Sequence, residues 1–216
     1  MAGPEQIAAL RQLLARRFPS AAAPSASVLP TELPALDGPA GGGLPAGALT
    51  EIVSAAPSSG GQLLIDRLLA VTRLRRVRVA LVDGGDAFDP SSHEAEVLQH
   101  LVWVRCGTLP EALGAADLLA RDANLALLLL DLRGVAPREL RAVPATTWYR
   151  LQRALGHGGT ALLALTTVPV VSSAALRFVL GRSFALGDLE AETAALLHRL
   201  PAAVQRSRLP AERRPA

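Results

Sequence analysis

Apolar and polar positions change rhythm several times along this 216-residue chain, and each change marks an element. Over residues 5–18, "EQIAALRQLLARRF", Ile7, Leu10, Leu14 and Phe18 fall on one face of a helical repeat, with Leu13 beside them. This predicts an amphipathic helix, and the "PSAAAPSASVLP" that follows reads as a linker. Such a helix either packs on its own core or docks on a neighbouring subunit or partner. From residue 49 short apolar runs alternate with helical repeats. "LTEIV" (49–53) reads as a strand and, after a loop, "QLLIDRLLAVTRL" (62–74) as a helix. "VRVALVD" (77–83) is the next strand, and Asp89 before Pro90 makes an N-cap and first-turn pair that starts a helix. "LVWVRC" (101–106) reads as a strand and "LPEALGAADLLARD" (109–122) as a helix. "LALLLLD" (125–131) is apolar on both faces, the mark of a buried strand. Trp148, Leu151 and Leu155 then line one side of a helix, ahead of a second buried strand, "TALLALTTV" (160–168).

Strand and helix alternating at this spacing predict an α/β fold, a mostly parallel sheet covered by helices on both faces. No internal repeat is visible. Beyond residue 170, "ALRFVLGRSFAL" (175–186) reads as a hairpin turning at Gly181. "DLEAETAALLHRL" (188–200) is helical, with Leu189, Leu196, Leu197 and Leu200 on one face. The tail "QRSRLPAERRPA" (205–216) carries too little apolar surface to fold alone. The expected organisation is a helix and linker at 1–24, a core at 25–187, and a C-terminal helix with a basic tail at 188–216.

Composition narrows the function classes. Half the chain is apolar and only 3% aromatic, so Leu, Val and Ala must build the core. All 22 basic residues are arginine. That is the pattern of a GC-rich genome and is discounted as a nucleic-acid signal. The single cysteine, Cys106, excludes an internal disulfide and fits a reducing compartment. Glu5 and Arg11 interrupt any apolar leader, and the run ending at Asp131 is too short to span a bilayer. The expectation is a cytoplasmic protein without membrane contact.

The stretch "SAAPSSGGQLL" (54–64) has the spacing of the phosphate-binding loop G-x-x-x-x-G-K-[ST], with Ala55, Gly60, Gly61 and Gln62 in the diagnostic slots. It lies between a predicted strand and helix, where such a loop belongs, but an ordinary strand-to-helix turn fits there equally. Asp131 ends an apolar strand, as does the acid that steers Mg²⁺ in phosphate-loop proteins. Loop and acid stand in the right order and spacing.

With these residues the chain resembles the bacterial recombinase RecA. The segment "LPTELPALDGPAGGGLPAGALTEIVSAAPSSGG" (29–61) is similar to the part of RecA that leads into its phosphate loop. "VDGGDAFDP" (82–90) resembles the stretch holding RecA's water-activating glutamate, "LALLLLD" its Asp-terminated strand, and "TALLALTTV" the strand after it. The likeness covers about residues 29–180 and implies a RecA-like fold. The departures are chemical: Gly61 stands at the lysine, Gln62 at the Mg²⁺-binding hydroxyl, Ala55 at the first glycine and Gly85 at the water-activating glutamate, with the shorter Asp86 beside it. Phosphate neutralisation, metal ligation and water activation are all vacated. Phosphoryl transfer depends on such positioning and electrostatics, so the sequence implies no enzyme and no cofactor.

A lysine-free RecA relative with a leading helix and basic tail resembles the ImuA family of bacterial damage-inducible mutagenesis cassettes. That resemblance implies an accessory role in SOS-induced translesion synthesis, through contacts with an ImuB-type, Y-family polymerase-like protein and with RecA. Self-association through the leading helix is a further expectation. Leu189, Leu196, Leu197 and Leu200, rimmed by Arg206, Arg208, Arg213 and Arg214, are candidate anchors for the polymerase-like partner. Arg133, Arg138, Arg141 and Arg150 are candidates for weak DNA contact, or simply a solvated face. Two alternatives stay open: a nucleotide-binding switch or ATPase with an atypical loop, and a SulA-like inhibitor of cell division. His93, Glu94 and Glu96 lack the spacing of a metal site and read as first-turn residues of a helix.

Overall fold

A computed structural model describes residues 28–122, 124–156 and 159–209. The expected helix at 5–18, with Ile7, Leu10, Leu14 and Phe18, lies outside these residues, as do Arg213 and Arg214. A small antiparallel ribbon, β1 (Val28–Leu29) with β2 (Leu44–Pro45), flanks helix α1 (Pro34–Ala40). Asp37 ties this segment together, accepting from Thr31 Oγ1 at 2.7 Å and from the Glu32 amide at 2.9 Å.

The main sheet is built from β3 (Leu49–Val53), β4 (Arg78–Asp83), β5 (Leu101–Arg105), β6 (Leu125–Asp131), β7 (Ala161–Thr166), β8 (Leu176–Leu180) and β9 (Ala202–Ser207). Its order is β5-β4-β6-β7-β3-β8-β9, parallel throughout except for β9. Helix α2 (Gly61–Leu74) joins β3 to β4, a short α3 (Ala95–Leu98) precedes β5, and α4 (Leu109–Leu119) precedes β6. Helices α5 (Pro137–Ala142) and α6 (Ala145–Leu155) precede β7, and α7 (Thr193–His198) precedes β9.

The continuous apolar runs belong in the middle of the sheet because both their faces are covered. Leu127, Leu129 and Leu163 pack with Leu64, Ile65 and Leu68 of α2. Leu128, Leu130 and Leu162 face the other way, against Ala112 and Ala116 of α4 and Trp148 and Leu151 of α6. The alternating α/β pattern is therefore found where it was expected.

Three expectations are corrected. The helix opening at Asp89 is only a 3₁₀ turn, Pro90–Ser92, although Asp89 does cap it by accepting from the Ser91 amide at 2.9 Å. Ser91 and Ser92 spend their hydroxyls on Asp89, a local alternative that competes with helix continuation. The hairpin at Gly181 does not form. β8 lies parallel to β3, and its antiparallel partner is β9, beyond the segment 181–201. Residues 182–185 instead bond the 54–60 loop: the Ser183 hydroxyl donates to the Pro57 carbonyl at 2.7 Å, and the Phe184 amide to that of Ser58 at 2.8 Å.

The third correction is the boundary at 187/188. β9 belongs to the main sheet, and Leu200 and Leu209 are buried in its core, so 188–209 is not an appendage. Arg206 pairs in register with Arg177, and Arg208 bonds the Ser172 carbonyl at 3.3 Å. The bare edge of β8 supplies the hydrogen bonds that the tail lacked on its own.

Two local features bear on later arguments. Glu51, at the middle of β3, is fully buried yet satisfied. Its Oε1 accepts from the Val170 and Val171 amides at 2.8 and 3.1 Å and from Thr166 Oγ1 at 3.1 Å, and its Oε2 from Arg177 Nε at 2.5 Å. At its C-terminus α2 closes with a Schellman cap: Val77 N–H to the Thr72 carbonyl at 3.1 Å and Arg76 N–H to that of Arg73 at 3.0 Å. The left-handed residue in this cap is Arg76, with φ 54°. Glycine ordinarily takes that position, and a side chain there costs roughly 1–2 kcal/mol.

Candidate functional site

At the carboxyl end of β3 the chain turns through residues 54–60 into α2, with Ser58 at φ 54° and Gly60 at φ 94°. The loop is braced by a Ser54–Ser59 hydroxyl bond of 2.5 Å. Gly60 supplies no side-chain cap to α2, and the first helical bond is Leu64 N–H to the Gly60 carbonyl at 3.0 Å. A β-carbon on Gly60 would lie 2.5 Å from Leu200 Cδ1 and 3.0 Å from Phe184 Cε2, so the segment between β8 and β9 sits directly on the loop.

Asp131 ends β6, one strand away from β3 across β7, and is nearly fully buried. Its carboxylate is clamped by Arg133, Nε to Oδ1 at 2.9 Å and Nη2 to Oδ2 at 2.6 Å, a bidentate pair. The same Nη2 reaches Gln62 Oε1 at 3.3 Å. A β-carbon on Gly61 would stand 2.5 Å from Arg133 Nη1. The guanidinium thus occupies the space beside Gly61 and is tied to the strand-end acid. Arg133, a candidate for weak DNA contact or simply a solvated face, is instead the internal partner of Asp131. Sequence carried no signal for the added bond to Gln62, which spans 71 positions.

The polar chain continues along α2. Gln62 Nε2 donates to Asp66 Oδ1 at 2.9 Å, and His93 Nε2 lies 3.4 Å from that oxygen, at ion-pair distance without hydrogen-bond alignment. The His93 ring stacks on Phe88 at 5.2 Å. Burial raises the Asp66 carboxyl above its ordinary range, against the opposing pull of Gln62, His93 and Arg133.

Gly85 is closed rather than merely vacant: a β-carbon there would meet Gly134 Cα at 2.7 Å, backbone against backbone. Asp83 holds this turn by accepting from the amides of Ala87 at 3.0 Å and Phe88 at 2.9 Å. Asp86 is engaged by Arg105 at 2.8 and 2.7 Å, which lowers its carboxyl below the usual range. Gly85 and Asp86 line a cleft of about 690 Å³ with Cys106, Thr108 and Glu139, apart from the 54–60 loop. Cys106 is buried, and burial raises its thiol.

The loop itself opens on a cavity of about 590 Å³ lined by Ala55, Pro57, Gln62, Arg133, Phe184 and Leu196, among others. The C-terminal leucines are divided by the fold. Leu196 faces this cavity, Leu197 packs against the core and Leu200 lies within it. Leu189 falls in the 3₁₀ turn Leu186–Glu190. Arg138 and Arg141 are exposed on α5, while Arg150 pairs with Asp117 at 3.2 Å. Among the described residues no group of three His, Cys, Asp or Glu side chains could hold a metal ion, and no helix is long and apolar enough to cross a membrane.

Fold and site together define an α/β protein with a glycine-bearing strand-to-helix loop at the carboxyl ends of a mostly parallel sheet. Comparison with protein-family models and with curated proteins finds no match to this chain.

Proposed function

We propose that this chain is a RecA-like accessory protein of the ImuA family. It acts in the cytoplasm, without nucleotide chemistry, in SOS-induced translesion DNA synthesis, through contacts with an ImuB-type polymerase-like protein and with RecA. The family assignment rests on the ordered resemblance over residues 29–180. The non-catalytic part rests on one observation, the Arg133 guanidinium held on Asp131 and over Gly61. The acid that would steer a metal is already neutralised, and a phosphate-binding side chain at Gly61 would collide with that arginine.

Calorimetric titration with ATP and Mg²⁺ is expected to give no heat beyond dilution. Micromolar binding, or turnover lost in Asp131→Ala, would overturn this part of the reading. The cavity of about 590 Å³ at an uncapped helix favours the second reading, a nucleotide-responsive switch, and the same titration decides between them.

For the partner, Leu196 faces the loop cavity. Leu196→Ala is expected to weaken capture of the polymerase-like protein by about 1–2 kcal/mol while circular dichroism stays unchanged. Undiminished capture by the folded variant would remove this surface from the interface.

A further inference from the structure

At the amino ends of the parallel strands, opposite the loop cavity, α2 turns into β4 through "RLRRVR" (73–78), which holds Arg73, Arg75, Arg76 and Arg78. Arg75, Arg76 and Arg78 are exposed, and among the described residues no carboxylate stands at salt-bridge distance from any of the four, although Asp122 is near enough to Arg78 to feel its charge. Arg73 spends one guanidinium nitrogen on the neutral Gln99 at 2.9 Å. Elsewhere among the described residues several arginines are committed, as Arg67 is to Glu32, Arg105 to Asp86, Arg133 to Asp131 and Arg199 to Asp188.

A second, independent observation falls in the same turn. Arg76 is held at φ 54°, in a cap position where glycine is unstrained. Arg76 therefore keeps its charged side chain at a conformational cost, while the cap's hydrogen bonds involve only its backbone.

We infer that this corner is a binding surface for the phosphodiester backbone of nucleic acid. Guanidinium groups match phosphate geometry, and their exposure leaves the donors free for it. Arg75, Arg76 and Arg78 are gathered in one tight cap, and three exposed guanidiniums can neutralise at most about three phosphates. Neutralising about three phosphates gives a logarithmic salt slope of about −2 to −3. Backbone contact of this kind carries no sequence preference. The surface lies at the opposite end of the sheet from the loop, so one molecule can hold nucleic acid and a protein partner together. The inference does not depend on the family assignment.

The test uses the full chain, with fluorescence anisotropy of a labelled single strand of about 30 nucleotides and its duplex between about 50 and 200 mM salt, where screening of exposed charges changes strongly. Wild type is expected to bind, and Arg75→Ala, Arg76→Gly, Arg78→Ala together should lower affinity at least tenfold at about 50 mM salt and flatten the slope by about 2–3. Arg76→Gly alone should weaken binding while raising Tm, because it removes a phosphate contact and relieves the left-handed residue; a purely structural arginine would not separate the two readouts. The proposal is overturned if wild type does not bind at about 10 µM, or if the triple variant keeps its affinity and slope. It is equally overturned if anionic phospholipid vesicles, and not either nucleic acid, show the arginine-dependent binding.

Discussion

Glu51→Ala is expected to destabilise the protein by about 3–5 kcal/mol, the range for removing one partner of a buried, hydrogen-bonded ion pair. The substitution strands Arg177, whose side chain is only 14% exposed, without its carboxylate. It also leaves the Val170 and Val171 amides and the Thr166 hydroxyl without their acceptor. The 167–171 turn after β7 should loosen first, because Arg177 Nη2 also holds the Val171 carbonyl there, at 3.0 Å. Equilibrium urea unfolding measures the loss, and hydrogen exchange of the Val170 and Val171 amides locates it. Glu51→Leu with Arg177→Met should recover only the part due to the stranded guanidinium, since the apolar pair removes the unpaired charge but still leaves the Val170 and Val171 amides and the Thr166 hydroxyl without an acceptor. A loss below about 1 kcal/mol in the single variant would mean that water replaces the carboxylate and that the turn does not depend on it.

Installing the consensus phosphate-loop residues, Gly61→Lys with Gln62→Thr, is expected to cost stability and to gain no hydrolysis. A β-carbon at position 61 displaces Arg133 Nη1, and the change at 62 removes the amide that links Arg133 to Asp66. Asp131 is then left buried with a weakened partner, which should cost about 2–3 kcal/mol. Adding Gly85→Glu should deepen the loss, because its obstacle is the backbone of Gly134 and no rotamer avoids it. Phosphate release and thermal melting on the purified variants are the measurements. Turnover in the double variant that disappears with Asp131→Asn would show that Arg133 yields easily and that the site lacks only its side chains.

Apolar rhythm alone determined the strands "LTEIV" and "LALLLLD" to the residue, and it placed α2 to within one, because each is buried on faces that its own periodicity announces. It likewise placed Trp148, Leu151 and Leu155 in the core. That positions 55, 61, 62 and 85 carry no lysine, hydroxyl or glutamate was also legible, since side-chain identity is read directly from the sequence.

The tertiary structure decided what sits in their place. Arg133 follows its strand by only two residues, and nothing local distinguishes a guanidinium that folds back onto Asp131 from one that points into solvent. The same holds at the C-terminus. "AAVQRS" has too weak an alternation to declare itself a strand, and becomes one because β8 offers an unpaired edge that only antiparallel addition can satisfy. Leu196, Leu197 and Leu200 look equivalent on a helical wheel. They are separated by where the 54–60 loop stands, one facing its cavity and the other two closing the core beneath it. Local pattern fixes which residues seek burial; the partner that buries or neutralises each one comes from segments far away in sequence.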